Sequence, residues 1–215
     1  MIISHSKKFV FVHIQKNAGT SITKYLDKYI TYQDLLLGCT KFGEKINGSY
    51  RKKFDLHKHV YARVIKNIMG DETWQNYFSF SFVRNPYDRA VSLYNWCRKG
   101  KFKFPVCQEA LQAENFSQFI RGECFGQLPN QLEYLTDDRG NIIVDFIGKQ
   151  ESIQEDFDRV CQKLEIPSDN MNQARHSFRT RRPQDSYQSY FKSDKDIELV
   201  QNQFRSDLKF FDYKF

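Results

Sequence analysis

FVFVHIQKNAGTSI, residues 9–22, is the stretch that decides the fold. Residues 9–14 form a short apolar run, rich in aromatic and β-branched side chains, of the kind that makes a buried strand. The run gives way to Gln15 and Lys16. A turn of small residues follows (Asn17, Ala18, Gly19), and Thr20 and Ser21 then open a helix with Ile22, Tyr25, Leu26 and Tyr29 at helical spacing. Strand, small-residue loop and helix N-terminus in succession turn backbone N–H groups and the helix dipole toward an anion such as phosphate or sulfate. Most lysines are solvated loop residues. Lys16 is set apart by its neighbours, which leave room for close backbone approach and add two hydroxyl donors. The glycine-spaced G-x-x-x-x-G-K-[ST] loop is absent, so ATP is not the first ligand expected.

A second segment, FSFVRNPYDRAVSLYNW, residues 80–96, repeats the layout. Residues 77–83 alternate with period two and read as a strand. Asn85 then caps a helix, Pro86 takes its first position and Asp88 sits in its first turn. Arg84 falls at the carboxyl end of the strand, where ligands bind in open α/β sheets. Asp88 and Ser92 are four apart and share a helix face. An arginine fork with a serine hydroxyl makes a phosphate clamp; a capped helix with a surface ion pair explains the same residues.

The remaining elements follow the same alternation. Residues 31–54 carry Gly38, Gly43 and Gly48 and read as an irregular insertion. A helix is predicted over 56–69, with Asp55 as its cap and Gly70 as its stop. A looser helical stretch covers 106–121, a third strand 142–147, and further helices 152–164 and 194–211. Strands alternating with helices predict an α/β fold: a P-loop-like three-layer architecture with a central, mainly parallel sheet flanked by helices. Neither repeats nor linkers interrupt it, so 1–215 is expected to be one domain.

Composition supplies the setting. The chain has a formal charge of +7, which implies an anionic partner without choosing among nucleotide, acidic polysaccharide, nucleic acid and membrane surface. Its five cysteines are odd in number and lack C-x-x-C spacing, which argues for reduced thiols over a zinc ribbon or a full disulfide framework. Neither a signal peptide nor an apolar run of roughly 18 residues is seen, so the expectation is a soluble protein without a transmembrane segment.

Taken together, the two segments resemble the carbohydrate-type sulfotransferases of sulfotransferase family 2. Their pattern F-V-H-I-P-K-x-x-G-T-S stands here as Phe11 to Ser21, with Gln15 for the proline and Ala18 for a common glycine. Their F-V-R-N-P-x-D-R-x-x-S-x-Y stands as Phe82 to Tyr94 with every fixed position filled. The closing D-x-x-x-F-x-Y is matched by Asp207, Phe211 and Tyr213.

The resemblance implies a donor, 3′-phosphoadenosine-5′-phosphosulfate (PAPS), and no metal. It implies that Lys16, Asn17, Ala18, Gly19, Thr20 and Ser21 hold the 5′-phosphosulfate, with Lys16 at the bridging oxygen, and that Arg84 and Ser92 hold the 3′-phosphate. A histidine-x-x-alanine segment supplies the family's base, matched by His59 and Ala62. On a helix His57 and His59 stand about 200° apart, so only one can face the site. His13 alternates with Phe9 and Phe11 and reads as a core histidine. In the basic run from Arg175 to Arg182, Arg179 and Arg182 are the candidates for covering the nucleotide. Gln131 falls where relatives line the acceptor cleft, or is an ordinary helix residue.

The implied partner is a carbohydrate acceptor, polysaccharide or glycolipid, and not nucleic acid; the oligomeric state is unreadable. The implied setting is a cytoplasm, bacterial for instance, or the Golgi lumen if the chain is a trimmed one. Two rivals stand beside this reading: an ATP-dependent small-molecule kinase on the same architecture, and a basic module that binds polyanions without catalysis.

Overall fold

A computed structural model describes residues 1–100, 102–168 and 186–215. They gather into two compact units, one made of 1–83 with 133–168 and the other of 84–132 with 186–215.

The first unit is built on a five-stranded sheet in the order β3-β1-β2-β4-β5. Its strands are β1 (Ile2–Ser4), β2 (Phe9–Val12), β3 (Leu35–Leu36), β4 (Phe78–Val83) and β5 (Phe146–Lys149). The helices are α1 (Gly19–Leu26), α2 (Lys41–Phe54), α3 (Ala62–Met69), α4 (Asp71–Gln75) and, after the second unit's helices in chain order, α9 (Ile153–Lys163). β2, β4 and β5 are parallel neighbours, with Val12 opposite Ser81 and Val83 opposite Lys149. β1 runs antiparallel to both β2 and β3. The sheet is therefore mixed, which corrects the expectation of a mainly parallel one. The added strands have three and two residues, too short to show any periodicity.

All four residues of β2 are buried, as a strand covered on both faces requires. β4 is also buried on both faces, so its alternation separates two interiors and not core from solvent. Phe80 packs on Phe9 and Phe11 at ring separations of 5.9 and 5.2 Å. α1 brings Ile22, Tyr25 and Leu26 to this core, and α9 brings Ile153, Phe157 and Val160. The serines of β4 are buried with their hydroxyls satisfied: Ser79 Oγ donates to Asp145 Oδ2 and Ser81 Oγ to the Val12 carbonyl, both at 2.7 Å.

Three predicted elements move. The glycine-bearing stretch expected to be irregular contains α2, capped by Thr40, whose Oγ1 accepts from Gly43 N at 3.0 Å. Gly43 serves close packing there, since a Cβ would lie 2.7 Å from the Gly38 carbonyl oxygen. Asp55, expected to cap the next helix, instead ends α2 in a left-handed conformation (φ 54°). The helix predicted over 56–69 begins only at Ala62, because Val60 N donates back to the His57 carbonyl in a turn. The third strand lies at 146–149, because 142–145 are spent on a bridge from Ile142 to Thr136 and on Asp145 receiving Ser79.

The second unit is helical. α5 (Pro86–Lys99) begins as predicted, with Pro86 in its first turn and Asn85 Oδ1 accepting from Tyr87 N at 3.0 Å. The stretch 106–121 resolves into the short helices α6 (Pro105–Gln112) and α7 (Phe116–Phe119), followed by α8 (Glu123–Gly126). The final predicted helix is two, Asp194–Gln203 and Arg205–Phe211, parted at Phe204. Tyr94, Phe116, Phe119, Phe125 and Phe204 fill the core. Cys97 and Cys107 form a disulfide between α5 and α6, which corrects the expectation of reduced thiols; Cys39, Cys124 and Cys161 take no part in a disulfide. The ten-residue separation carries no motif signal, because the pair meets only once the two helices fold back.

Candidate functional site

In the first unit the chain leaves β2 through His13 and Ile14, both buried, and turns sharply into α1. Lys16 (φ 69°) and Ala18 (φ 61°) adopt the left-handed conformation, which L residues avoid by about 1 kcal/mol or more each. A left-handed Ala18 directly before the first helical residue makes successive N–H groups converge on a concavity that suits an anion. No side chain caps α1 and no acid lies in its first turn. Ser21 N donates back to the Ala18 carbonyl at 2.9 Å, so the N–H groups of Gly19 and Thr20 are the ones that stand at the positive end of the helix dipole.

The loop is fixed from below. Asn17, 1 % exposed, donates from Nδ2 to the Phe82 carbonyl of β4 at 2.9 Å. Gly19 is required by a close approach: a Cβ there would lie 2.2 Å from the His13 ring. Ser21 is buried, while Lys16, Ala18 and Thr20 are half-buried along the loop. The structure thus brings all six residues expected in the first motif into one turn.

His59 joins them from the chain between α2 and α3. It is not on a helix, so the angular argument separating it from His57 does not apply. His59 Nδ1 lies 2.8 Å from the His13 carbonyl oxygen. A carbonyl only accepts, so Nδ1 carries the proton and Nε2 of the neutral ring carries the lone pair. His57 has a local task, accepting from His59 N at 3.3 Å through Nδ1. The His13 and His59 rings meet edge to face at 4.7 Å. Burial pushes the His59 imidazole down to about 3, and burial followed by the His59 ring holds His13 well below the usual histidine range. Both rings are neutral at pH 7.

Cys39 was not singled out by the sequence. Its Sγ lies 3.8 Å from both His13 Nδ1 and Thr20 Oγ1, at the edge of the same turn. Neither its spacing nor its surroundings in the chain carry a signal for that position.

In the second unit Arg84 is 5 % exposed, and its Nε and Nη2 lie 2.7 and 2.6 Å from Asp88 Oδ2. The ion pair expected at the surface is therefore buried. Ser92 follows Asp88 by one helical turn on α5 and is half-buried. Gln131, considered for the acceptor cleft, is fully buried. Its Oε1 accepts from Arg84 N at 2.9 Å and its Nε2 donates to the Arg84 carbonyl at 2.8 Å. That placement corrects the acceptor-lining expectation, since a side chain engaged on both amide ends and closed to solvent offers an acceptor no surface. Arg179 and Arg182 lie outside the described residues.

Among the described residues, no group of three or more His, Cys, Asp or Glu is placed to hold a metal ion. No helix among them is long and apolar enough to cross a membrane.

Comparison with known proteins agrees with the motifs. The model of the sulfotransferase family matches residues 1–214. An uncharacterized protein of Archaeoglobus fulgidus is 30% identical over 110 residues, which is 50% of this chain and 84% of that protein. No solved structure matches the chain. A family match running over nearly the whole length, on a chain whose first motif folds into an anion-suited turn beside a neutral histidine, places this protein in the sulfotransferase family.

Proposed function

We propose that this sulfotransferase takes its sulfuryl group from PAPS and delivers it to a hydroxyl of a carbohydrate acceptor, with His59 as the base. The observation that carries the reading is the hydrogen bond from His59 Nδ1 to the His13 carbonyl. It sets the tautomer that leaves Nε2 able to receive a proton, and it does so from the residue that leads into the anion-suited turn. When bound, the donor supplies the sulfuryl group and a phosphate leaving group. The turn at 16–21 holds its 5′-phosphosulfate through converging N–H groups and the Thr20 and Ser21 hydroxyls, and Lys16 stabilises charge on the departing oxygen. Arg84 and Ser92 hold the 3′-phosphate, and Arg179 and Arg182 add positive charge to the nucleotide. The acceptor proton passes to His59 Nε2 as the new oxygen–sulfur bond forms.

A resting value of about 3 makes His59 a weak base on its own. Negative charge brought by the donor favours the imidazolium and raises that value in the loaded site. The Cys97–Cys107 disulfide suits a compartment that keeps thiols oxidised better than the cytoplasmic setting expected from sequence.

Transfer of labelled sulfuryl from PAPS to a panel of neutral and acidic oligosaccharides tests the reading. Wild-type protein should label at least one glycan, and His59→Ala should lower turnover by about 100-fold while leaving affinity for adenosine 3′,5′-bisphosphate (PAP) within about twofold. Undiminished turnover in the variant would remove His59 from the reaction.

A further inference from the structure

Arg84 occupies the single step between β4, which ends at Val83, and the capping residue Asn85 that starts α5. Its own N–H and C=O are both taken by one side chain, the Gln131 carboxamide, at 2.9 and 2.8 Å. The amide thereby acts on Arg84 as a neighbouring strand would, pairing both main-chain groups of one residue.

The orientation of that amide is set by a buried carboxylate. Asp207 Oδ2 accepts from Gln131 N at 2.8 Å and from Gln131 Nε2 at 3.1 Å, while Oδ1 accepts from Leu132 N at 2.9 Å. A flipped amide would place Oε1 against the carboxylate and Nε2 against the Arg84 N–H, so only one orientation is satisfied. Asp207 and Gln131 are both 0 % exposed and cannot touch a ligand. Burial raises the Asp207 carboxyl above its ordinary range against the opposing hydrogen bonds, so this charge is kept inside at a cost. At its other end Arg84 is held by Asp88, which leaves the residue fixed at both main chain and guanidinium.

We infer that Asp207 and Gln131 are positioning residues that set Arg84 for recognition of the donor's 3′-phosphate. The inference rests on the proposed role of Arg84 as the 3′-phosphate contact. It gives the aspartate of the C-terminal motif a function at a residue more than a hundred positions earlier in the chain.

The test compares PAP with adenosine 5′-monophosphate, which lacks the 3′-phosphate, by calorimetric titration. The isosteric Gln131→Glu puts a second oxygen where Nε2 stood. At pH 8 it should weaken PAP binding by about tenfold or more and leave the monophosphate within about twofold. At pH 5.5, where the two neighbouring carboxyls share a proton and the acid can again donate, the ratio of the two affinities should return toward that of wild type at the same pH. A residue that only supported the fold would lower both affinities together and show no recovery with acid. Asp207→Asn should lose the preference for PAP in the same selective way, without the recovery. If both variants keep the wild-type ratio while Arg84→Ala loses it, the positioning role is wrong and the role of Arg84 stands. If Arg84→Ala keeps the ratio, the 3′-phosphate assignment fails and the inference falls with it.

Discussion

His13 serves the candidate site in three ways from one position. Its carbonyl fixes the tautomer of His59, its ring abuts Gly19 at the start of α1, and its Nδ1 faces the Cys39 thiol at 3.8 Å. Read as part of the alternation Phe9, Phe11, His13, it is a core histidine, and at 3 % exposure it is one. Its influence on the site runs through its main chain and its bulk, which no residue-type pattern reveals. Gly19 is the counterpart on the helix. Because the His13 ring is confined by Phe11 at 5.6 Å and His59 at 4.7 Å, it cannot swing away from an added methyl. Gly19→Ala should therefore displace the turn, costing about 1–3 kcal/mol in urea unfolding and at least tenfold in PAP affinity. Unchanged stability and affinity would show that the turn yields freely.

At the scale of elements, the legible parts were those with strong local chemistry. β4, the Asn85-Pro86 start of α5 and α9 stand within a residue of where spacing and capping put them. The parts that were not legible depend on partners distant in the chain. β1 is a strand because it pairs with β2 and β3 because it pairs with β1, and their three and two residues have no signature of their own. α2 was hidden by glycines, which argue for a loop until the packing of Gly43 against Gly38 is known. The segment 56–61 misled in the opposite direction: Asp55 read as a cap put a helix start there, whereas the chain makes a turn from His57 to Val60 before α3 begins. In the site the same division holds. The six residues of the first loop meet as their order implied, whereas the clamp of Gln131 on Arg84 and the place of Cys39 are tertiary facts.

For the molecule as a whole, two neutral imidazoles buried side by side tie stability to pH. In the unfolded chain His13 and His59 titrate near 6.5, while in the fold His59 does so at about 3 and His13 well below its ordinary range. The unfolded state therefore binds more protons once pH drops below about 6.5. This contribution is intact above that pH and lost progressively as pH falls from 6.5 toward 3, by about 1.4 kcal/mol per pH unit for each ring in the steep region. Urea midpoints at pH 7.5, 6.5 and 5.5 should fall modestly over the first step, to which the buried Met1 amine (pushed down to about 5) also contributes, and more steeply over the second. A midpoint that stays level or rises on acidification would mean the rings are charged in the fold.

The central claim, that two separate motifs recognise the two phosphates of one nucleotide, is tested most directly by titrating PAP and adenosine 5′-monophosphate against wild type, Lys16→Ala and Arg84→Ala. Wild type should prefer PAP by about tenfold or more, a charge-assisted pair of contacts being worth at least that. Lys16→Ala should weaken both ligands by a similar factor, and Arg84→Ala should remove most of the preference for PAP, leaving only the part that Ser92 supports. A wild-type protein that does not distinguish the two ligands, or an Arg84→Ala variant that keeps the wild-type preference, would contradict it.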